Sequence, residues 1–202
     1  MQKIIFILTA IFIITGDVSA KSSKEPGANI QADNYYPLVK IETSIGDFII
    51  ELNRKRAPAT VNSFLSYVVR KEYDGTIFHR VIPNYIAQGG GYETGFKERK
   101  TSRTIINESG NGLKNDMYSI SMAREDDPHS ATRQFFFNLK DNDNLNPGKG
   151  WGYTVFGYVT DGTEVIDAFS EIETEYKATI RFQDTPKEDV ILIKATVLPL
   201  DH

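Results

Sequence analysis

The sequence of 202 residues contains no cysteine, which excludes disulfides, thiolate catalysis and cysteine-ligated zinc or iron–sulfur sites. Histidine is scarce, and His79, His129 and His202 do not have the spacing of a metal-binding motif. Lysine and arginine number 23 against 27 acidic residues, so there is no basic excess for binding nucleic acid. After the first twenty residues, no apolar run reaches the roughly 18 residues of a membrane-spanning helix.

What is present is typical of one globular domain preceded by a targeting segment. Hydrophobic residues make up 40% and charged residues 25% of the chain, which excludes wholesale disorder. Lys3 precedes an almost purely apolar stretch at 4–14, and Val18-Ser19-Ala20 offers small residues to a signal peptidase. The alternative, a short membrane anchor, would span only about 16 Å of a ~30 Å bilayer core. We therefore expect a signal peptide at 1–20, cleaved after Ala20, and a flexible polar tether at 21–36.

The remainder alternates short strand-like runs with two helical patterns. Ala57-Pro58 begins a helix whose apolar stripe is Val61, Phe64, Leu65 and Val68. A second helix is expected to start at 161–163. Strands are predicted at 38–43, 48–52, 77–82, 118–123, 134–139, 154–159 and 189–198. This pattern favours an all-β barrel or sandwich whose open ends are covered by helices.

Two segments concentrate the residues that could carry chemistry, at 78–92 and 130–138. Arg80 and Gln88 are separated by apolar residues and a proline turn, and three glycines follow at 89–91. The glycines are weak evidence for a phosphate loop, and a tight turn or close backbone approach explains them as well. Arg80 could equally be an exposed ion-pair partner, and His79 a packed residue. In the run at 135–137 the pleat places Phe136 on the opposite face from Phe135 and Phe137.

These segments, taken in order, resemble the cyclophilins, a family of peptidyl-prolyl cis/trans isomerases. The resemblance rests on 73–83 followed by 88–90, and on 121–123, 130–136 and 155–159, and it covers roughly 38–199. It implies one isomerase domain at 37–200, folded as a closed eight-stranded antiparallel β-barrel capped by two α-helices. Segments 107–108, 111–113 and 193–199 are similar to exported bacterial members, so a periplasmic location is expected.

The resemblance also implies a site and a mechanism. Arg80 resembles the arginine that assists rotation, with Gln88 supporting it and Phe136 forming the floor of a proline slot. Substrate-binding residues are expected at Tyr85, Ile86, Ala123, Arg124, Gln134, Leu145 and Tyr153. No metal or cofactor is implied, because rotation makes and breaks no bond. The expected partners are proline-containing unfolded or extended segments, and the protein is expected to act as a monomer.

Several positions depart from the common family pattern. Asn144 stands where many members have tryptophan, and Tyr153 where many have histidine. Tyr85, Ile86 and Arg124 replace phenylalanine, methionine and asparagine. The missing tryptophan predicts weak binding of cyclosporin, the cyclic peptide inhibitor of the family. A proline-binding module or chaperone with little isomerase activity is the alternative function, although the retained Arg80, Gln88 and Phe136 favour an active enzyme.

Overall fold

The structure is a computed structural model that describes residues 26–101, 103–178 and 180–200. The signal peptide expected at 1–20 therefore lies outside the described residues. Within them the chain is mainly β. The elements are β1 Leu38–Thr43, β2 Gly46–Leu52, α1 Pro58–Val69, β3 Thr76–Ile77, β4 Arg80–Ile82, β5 Ile86–Gly89, β6 Tyr92–Glu93, β7 Ser119–Met122, β8 Phe135–Asn138, β9 Val155–Asp161, α2 Thr163–Ala168, β10 Thr174–Lys177, β11 Phe182–Pro186 and β12 Ile191–Val197.

Ten of these strands form one antiparallel sheet, in the order β4-β5-β8-β7-β9-β2-β1-β12-β3-β6, and β10 and β11 form a separate ribbon. Phe78 and His79 alone separate β3, near one end of the order, from β4 at the other. Since the three residue steps from Ile77 to Arg80 span at most about 11 Å, the sheet must curl until its two ends are close. Residues 78 and 79 therefore connect the two ends of the sheet directly along the chain.

The predicted architecture is confirmed in its coarser form: mainly β, antiparallel and carrying two helices. The strand count differs from the expected eight, and no ladder among the described residues pairs β4 with β6. The reason is local. The expected strand at 77–82 is interrupted, because Ile77 pairs with β12 while Arg80 pairs with β5. The single strand predicted at 77–82 is thus two strands in the structure, β3 and β4, which lie in different parts of the sheet.

Helix α1 covers one side of the core and follows its predicted stripe. Val61, Phe64, Leu65 and Val68 are all buried. Pro58 stands in the first turn, where a missing N–H costs no hydrogen bond. The Glu108 carboxylate accepts hydrogen bonds from the amides of Ala59 and Thr60, at 3.2 and 2.9 Å. The helix is therefore stabilised by its buried apolar stripe and by the Glu108 carboxylate, which accepts hydrogen bonds from amides of its first turn.

The described part of the expected tether, residues 26–36, is hydrogen-bonded to the domain. The buried Arg54 guanidinium donates to the carbonyl oxygens of Ile30, Gln31 and Asn34. The Gln31 amide donates in turn to the carbonyl of Leu198 at 2.7 Å. This segment consequently lies along the domain from residue 26 onward. In the described ranges, no helix is both long and apolar enough to cross a bilayer.

Candidate active site

Three residues from three neighbouring strands lie in one row across the sheet. Arg80 of β4 is opposite Gln88 of β5, and Gln88 is opposite Phe136 of β8. Directly opposed residues of antiparallel strands project their side chains from the same face. The row is therefore a consequence of register, and it places a cation, an amide and an aromatic ring side by side.

The pleat of β8 determines which aromatic ring joins this row. Phe135 and Phe137 are fully buried in the main core. Phe137 meets Phe48 edge to face, with ring centroids 5.1 Å apart. Phe136 lies outside that core cluster and faces the cleft, as the alternation of the strand predicts.

A cleft of about 280 Å³ opens over the row. Its apolar floor is Phe136, which Tyr153 meets edge to face at 5.6 Å between centroids. Nine of the ten predicted site residues line the cleft: Arg80, Tyr85, Ile86, Gln88, Ala123, Arg124, Phe136, Leu145 and Tyr153. A small apolar floor with a few polar groups at its edge is typical of a site that orients a small side chain.

The tenth predicted residue, Gln134, lines an adjoining pocket of about 170 Å³ that shares Gln88, Ala123 and Arg124 with the cleft. The Gln88 side-chain amide donates to the Gln134 side-chain oxygen at 2.9 Å. A Cβ atom at Gly91 would lie 2.7 Å from the Gln134 side chain, so glycine makes room there. Gly90 has φ of 83°. Gly90 is therefore explained by its backbone conformation, and Gly91 by the space that the Gln134 side chain occupies.

Arg124 connects two loops at the edge of the cleft. Its guanidinium donates to the carbonyl oxygens of Glu125, Asp126, Trp151 and Gly152. It also lies over the Tyr153 ring, 4.7 Å from the centroid. Most of its donors are thus committed to protein carbonyls, so the side chain shapes the wall of the site.

The opposite edge is formed by a 3-10 turn at Asp143–Leu145. Leu145 lines the cleft from this turn, and its carbonyl accepts a hydrogen bond from the amide of Tyr153 at 3.0 Å. Asn144 is exposed, and its side-chain amide donates to the Tyr85 hydroxyl at 3.0 Å. The residue that stands in place of the usual tryptophan is therefore in contact with a wall of the cleft.

Arg80 is half-exposed and has a partner that the sequence gives no sign of. Its Nε lies 3.6 Å from a carboxylate oxygen of Asp184, on β11. Among the described residues, its terminal nitrogens have no hydrogen-bond partner in the protein. The arginine is thus both the ion-pair partner considered from the sequence and a wall of the cleft.

His79, the neighbour of Arg80, is buried and packs against Tyr92 at 4.8 Å between ring centroids. Burial lowers the pKa of its imidazole to about 4, and the adjacent Arg80 charge contributes to this lowering in the same direction. His79 is consequently a packed neutral residue. Across the described residues, no group of three histidine or acidic side chains is arranged to hold a metal ion.

Comparison with known proteins gives this site its context. Residues 38–197 match the family described as cyclophilin type peptidyl-prolyl cis-trans isomerase. Peptidyl-prolyl cis-trans isomerase cyp18 of Streptomyces antibioticus is 47% identical over 164 residues, covering 79% of this chain and 98% of its own length. Peptidyl-prolyl cis-trans isomerase B of Escherichia coli strain K12 is 46% identical, covering 79% of this chain and 99% of its own.

A solved structure agrees with these relatives. The cyclophilin type peptidyl-prolyl cis-trans isomerase of Cryptosporidium parvum aligns with a TM-score of 0.72 at 26% identity, covering 83% of this chain and 100% of its own. The chain belongs to the cyclophilin family. Its activity is that of a peptidyl-prolyl cis-trans isomerase, which rotates the peptide bond preceding proline.

Proposed function

We propose that this isomerase acts on proline-containing segments of exported proteins, without a covalent intermediate, and that Arg80 assists the rotation. The observation that carries the proposal is the row of Arg80, Gln88 and Phe136 over one cleft. A Cryptosporidium parvum relative of 27% identity was crystallised in the presence of the dipeptide Ala-Pro, which supports a proline-sized occupant. Its TM-score is 0.70, and it covers 81% of this chain and 99% of its own.

The reaction needs a site that prefers a twisted amide. Rotation breaks amide resonance and has a barrier of about 18–20 kcal/mol, so the uncatalysed event takes tens of seconds or longer. In the twisted state the proline nitrogen becomes pyramidal and gains a lone pair. A donor aimed at that lone pair stabilises the twisted amide more than either planar form, which is the condition for catalysis.

Arg80 has the geometry for this donor. Its planar fork can hold the proline nitrogen and a nearby carbonyl oxygen together, which a lysine ammonium cannot do as well. The apolar floor of Phe136 and the walls Ile86 and Leu145 would hold the proline ring. A ~10⁵-fold acceleration requires only about 7 kcal/mol, which one charge-assisted hydrogen bond plus apolar contacts can supply.

The experiment that tests this function is a protease-coupled assay on a short X–Pro peptide. We expect catalysed isomerisation that saturates with peptide and needs no added metal. The alternative, a module that only binds proline segments, would bind the same peptide without accelerating its isomerisation. Trp151 is the only tryptophan and its carbonyl accepts from Arg124 at the cleft, so its fluorescence gives a separate measure of binding.

The location of the protein is the second part of the proposal. We propose that residues 1–20 are a cleaved signal peptide and that the mature protein lies in the periplasm. N-terminal sequencing of protein purified from its native host is expected to begin at Lys21. Recovery of an intact Met1 on a membrane-bound form would contradict the export proposal and leave the isomerase proposal standing.

We further propose that the protein acts as a monomer and that its curled, ten-stranded sheet closes on itself as the barrel of its family does. The short link between β3 and β4 through Phe78 and His79 supports closure, because it holds the two ends of the sheet together. Light scattering of the purified protein tests the first point.

Weak binding of cyclosporin is a further expectation, and Asn144 is its cause. An exposed asparagine stands beside Tyr85, at the edge of the cleft, where tryptophan is common in the family. Loss of one indole contact at a binding hot spot costs a few kcal/mol, so we expect inhibition tens to hundreds of times weaker than in tryptophan-bearing relatives. Asn144→Trp should tighten inhibition. Tight inhibition of the unmodified protein would contradict this prediction.

A further inference from the structure

A two-stranded ribbon outside the main sheet brings a carboxylate to Arg80. The ribbon consists of β10 and β11, which pair antiparallel with a register shift. Asp184 lies in β11, and its Oδ2 is 3.6 Å from the Nε of Arg80. The ribbon therefore reaches the edge strand β4 at the residue that is proposed to act on the substrate.

Aromatic contacts fix the ribbon where Asp184 is presented. Phe182 meets Tyr92 edge to face at 5.3 Å between centroids, and Phe96 at 5.5 Å. Its ring also lies 6.1 Å from that of His79. Thr185, the residue after Asp184, is buried. The packed residues before and after Asp184, Phe182 and Thr185, thus determine the position of its carboxylate.

The backbone at Asp184 has a φ of 54°, in the left-handed region. Aspartate and asparagine adopt this conformation more readily than most residues with a side chain. Asn is consequently a substitution that retains the backbone and removes the charge.

Asp184 approaches the Nε atom of Arg80, and this choice of atom bears on how the guanidinium is oriented. The closest approach of the pair is to Nε, at the base of the guanidinium fork, and the two terminal nitrogens make no hydrogen bond to the described residues. Because the guanidinium is planar and rigid, an ion-pair contact at Nε biases the direction of both terminal nitrogens, although at 3.6 Å it is longer than a hydrogen bond. Arg80 also lines the cleft, and its terminal nitrogens have donors left for a bound amide.

We propose that Asp184 is a positioning residue that holds the Arg80 guanidinium in the orientation required for the twisted amide. This inference rests on the proposed role of Arg80. Both side chains are about two-fifths exposed, at 40% and 38%, so the ion pair is of the weak surface kind. We therefore expect a several-fold effect on the rate and little effect on folding.

The test is the isomerisation kinetics of Asp184→Asn. We expect kcat to fall roughly three- to fivefold with KM unchanged, because the carboxylate acts on the orientation of a donor that is used in the transition state. Glu175→Gln is the matched control: it removes a carboxylate from the same ribbon, opposite Thr185, and should leave both constants unchanged. The thermal midpoint of each variant shows whether the fold is retained.

Coupling to Arg80 separates positioning from a structural role. In an Arg80→Ala background, Asp184→Asn should cause no further loss, since there is no guanidinium to orient. Added salt should lower kcat of the unmodified protein toward that of Asp184→Asn, because an exposed ion pair is screened. The salt titration decides the matter even if the variant does not fold.

Three results would overturn the proposal: an unchanged or higher kcat in Asp184→Asn, an equal loss in the Arg80→Ala background, or a kcat of the unmodified protein that does not respond to salt. Failure of the proposed function has a different signature. There Arg80→Ala alone would retain full activity, or the unmodified protein would not catalyse isomerisation at all.

Discussion

Replacement of Arg80 by alanine is expected to lower kcat/KM by roughly 10²–10³-fold, comparable with the loss of one transition-state donor in other enzymes. The reason is that Arg80 is the cation at the head of the row that faces the cleft. The fold should be retained, because the side chain is half-exposed and its only ion pair among the described residues is the one to Asp184. Peptide isomerisation kinetics, with circular dichroism of the same samples, measure both effects.

Companion variants identify what the guanidinium contributes. Arg80→Lys should recover only part of the activity, since it keeps the charge and loses the fork. Phe136→Ala should weaken substrate binding and rate together, because it removes the floor of the cleft. Arg70→Ala, at an exposed ion pair with Glu72 after α1, is the matched control and should have no effect on catalysis. A folded Arg80→Ala protein with nearly full activity would mean that apolar contacts supply most of the catalysis.

Nine of the ten predicted residues meet at one cleft because they are close along the chain or in periodic strands. Arg80 and Gln88 flank one turn, so a local motif carries their pairing. The position of Phe136 outside the main core follows from the two-residue period of a strand, whatever its partners are. The helical period of 3.6 residues in turn predicted the buried stripe of α1, from Val61 to Val68.

Features that depend on distant contacts were not predictable in this way. The strands β3 and β6 have two residues each, too few for any periodic pattern. The ribbon of β10 and β11 is largely polar and half-exposed, so its residues are typical of a loop. Asp184 is consequently absent from the sequence-based site. The ion pair between Asp184 and Arg80 depends on tertiary packing, such as the contact of Phe182 with Tyr92, which brings the ribbon to β4.

The hydrogen-bond partners of buried and half-buried arginine side chains were not predictable from the sequence either. The composition of 21–36 is typical of a flexible tether, but the described part, 26–36, is bound by the guanidinium of Arg54. Arg124 was predicted to hold substrate, and the structure shows most of its donors on carbonyls of two loops. A long side chain with five donors can serve backbone groups that the sequence does not place near it.

A second large effect is expected in acid, where His79 should destabilise the fold. Its pKa is lowered to about 4 because the imidazole is buried beside Tyr92 and Phe182. In the unfolded chain the same group titrates near 6.5. Between these values the unfolded state binds a proton that the folded state does not, so stability rises with pH. The unfolding free energy is therefore not reduced by His79 above pH 6.5, and it falls progressively as the pH is lowered from 6.5 to about 4.

The size of this effect follows from the shift. A difference of about 2.5 pKa units corresponds to about 3 kcal/mol of unfolding free energy, a large share of the stability of a domain. His79→Phe should remove most of this acid dependence, because a phenyl ring can pack at the same place and does not titrate. The variant gives up the hydrogen bond between the ring and the Ile77 backbone, whereas Nδ1 has no partner among the described residues to lose.

Urea unfolding of both proteins from pH 7.5 to pH 4 measures the difference. Carboxylates also contribute to acid sensitivity, so the informative quantity is the difference between the two stability curves. His129→Gln is the control for removing an imidazole elsewhere in the fold: His129 is exposed beside Trp151, and its Nδ1 accepts a hydrogen bond from the Asn107 amide. Because His79 joins β3 to β4, its protonation acts on the link between the two ends of the sheet and on the neighbour of Arg80. Parallel stability curves for His79→Phe and the unmodified protein would show that the imidazole accepts its proton in the folded state at its ordinary pKa, and that acid acts on this protein through its carboxylates alone.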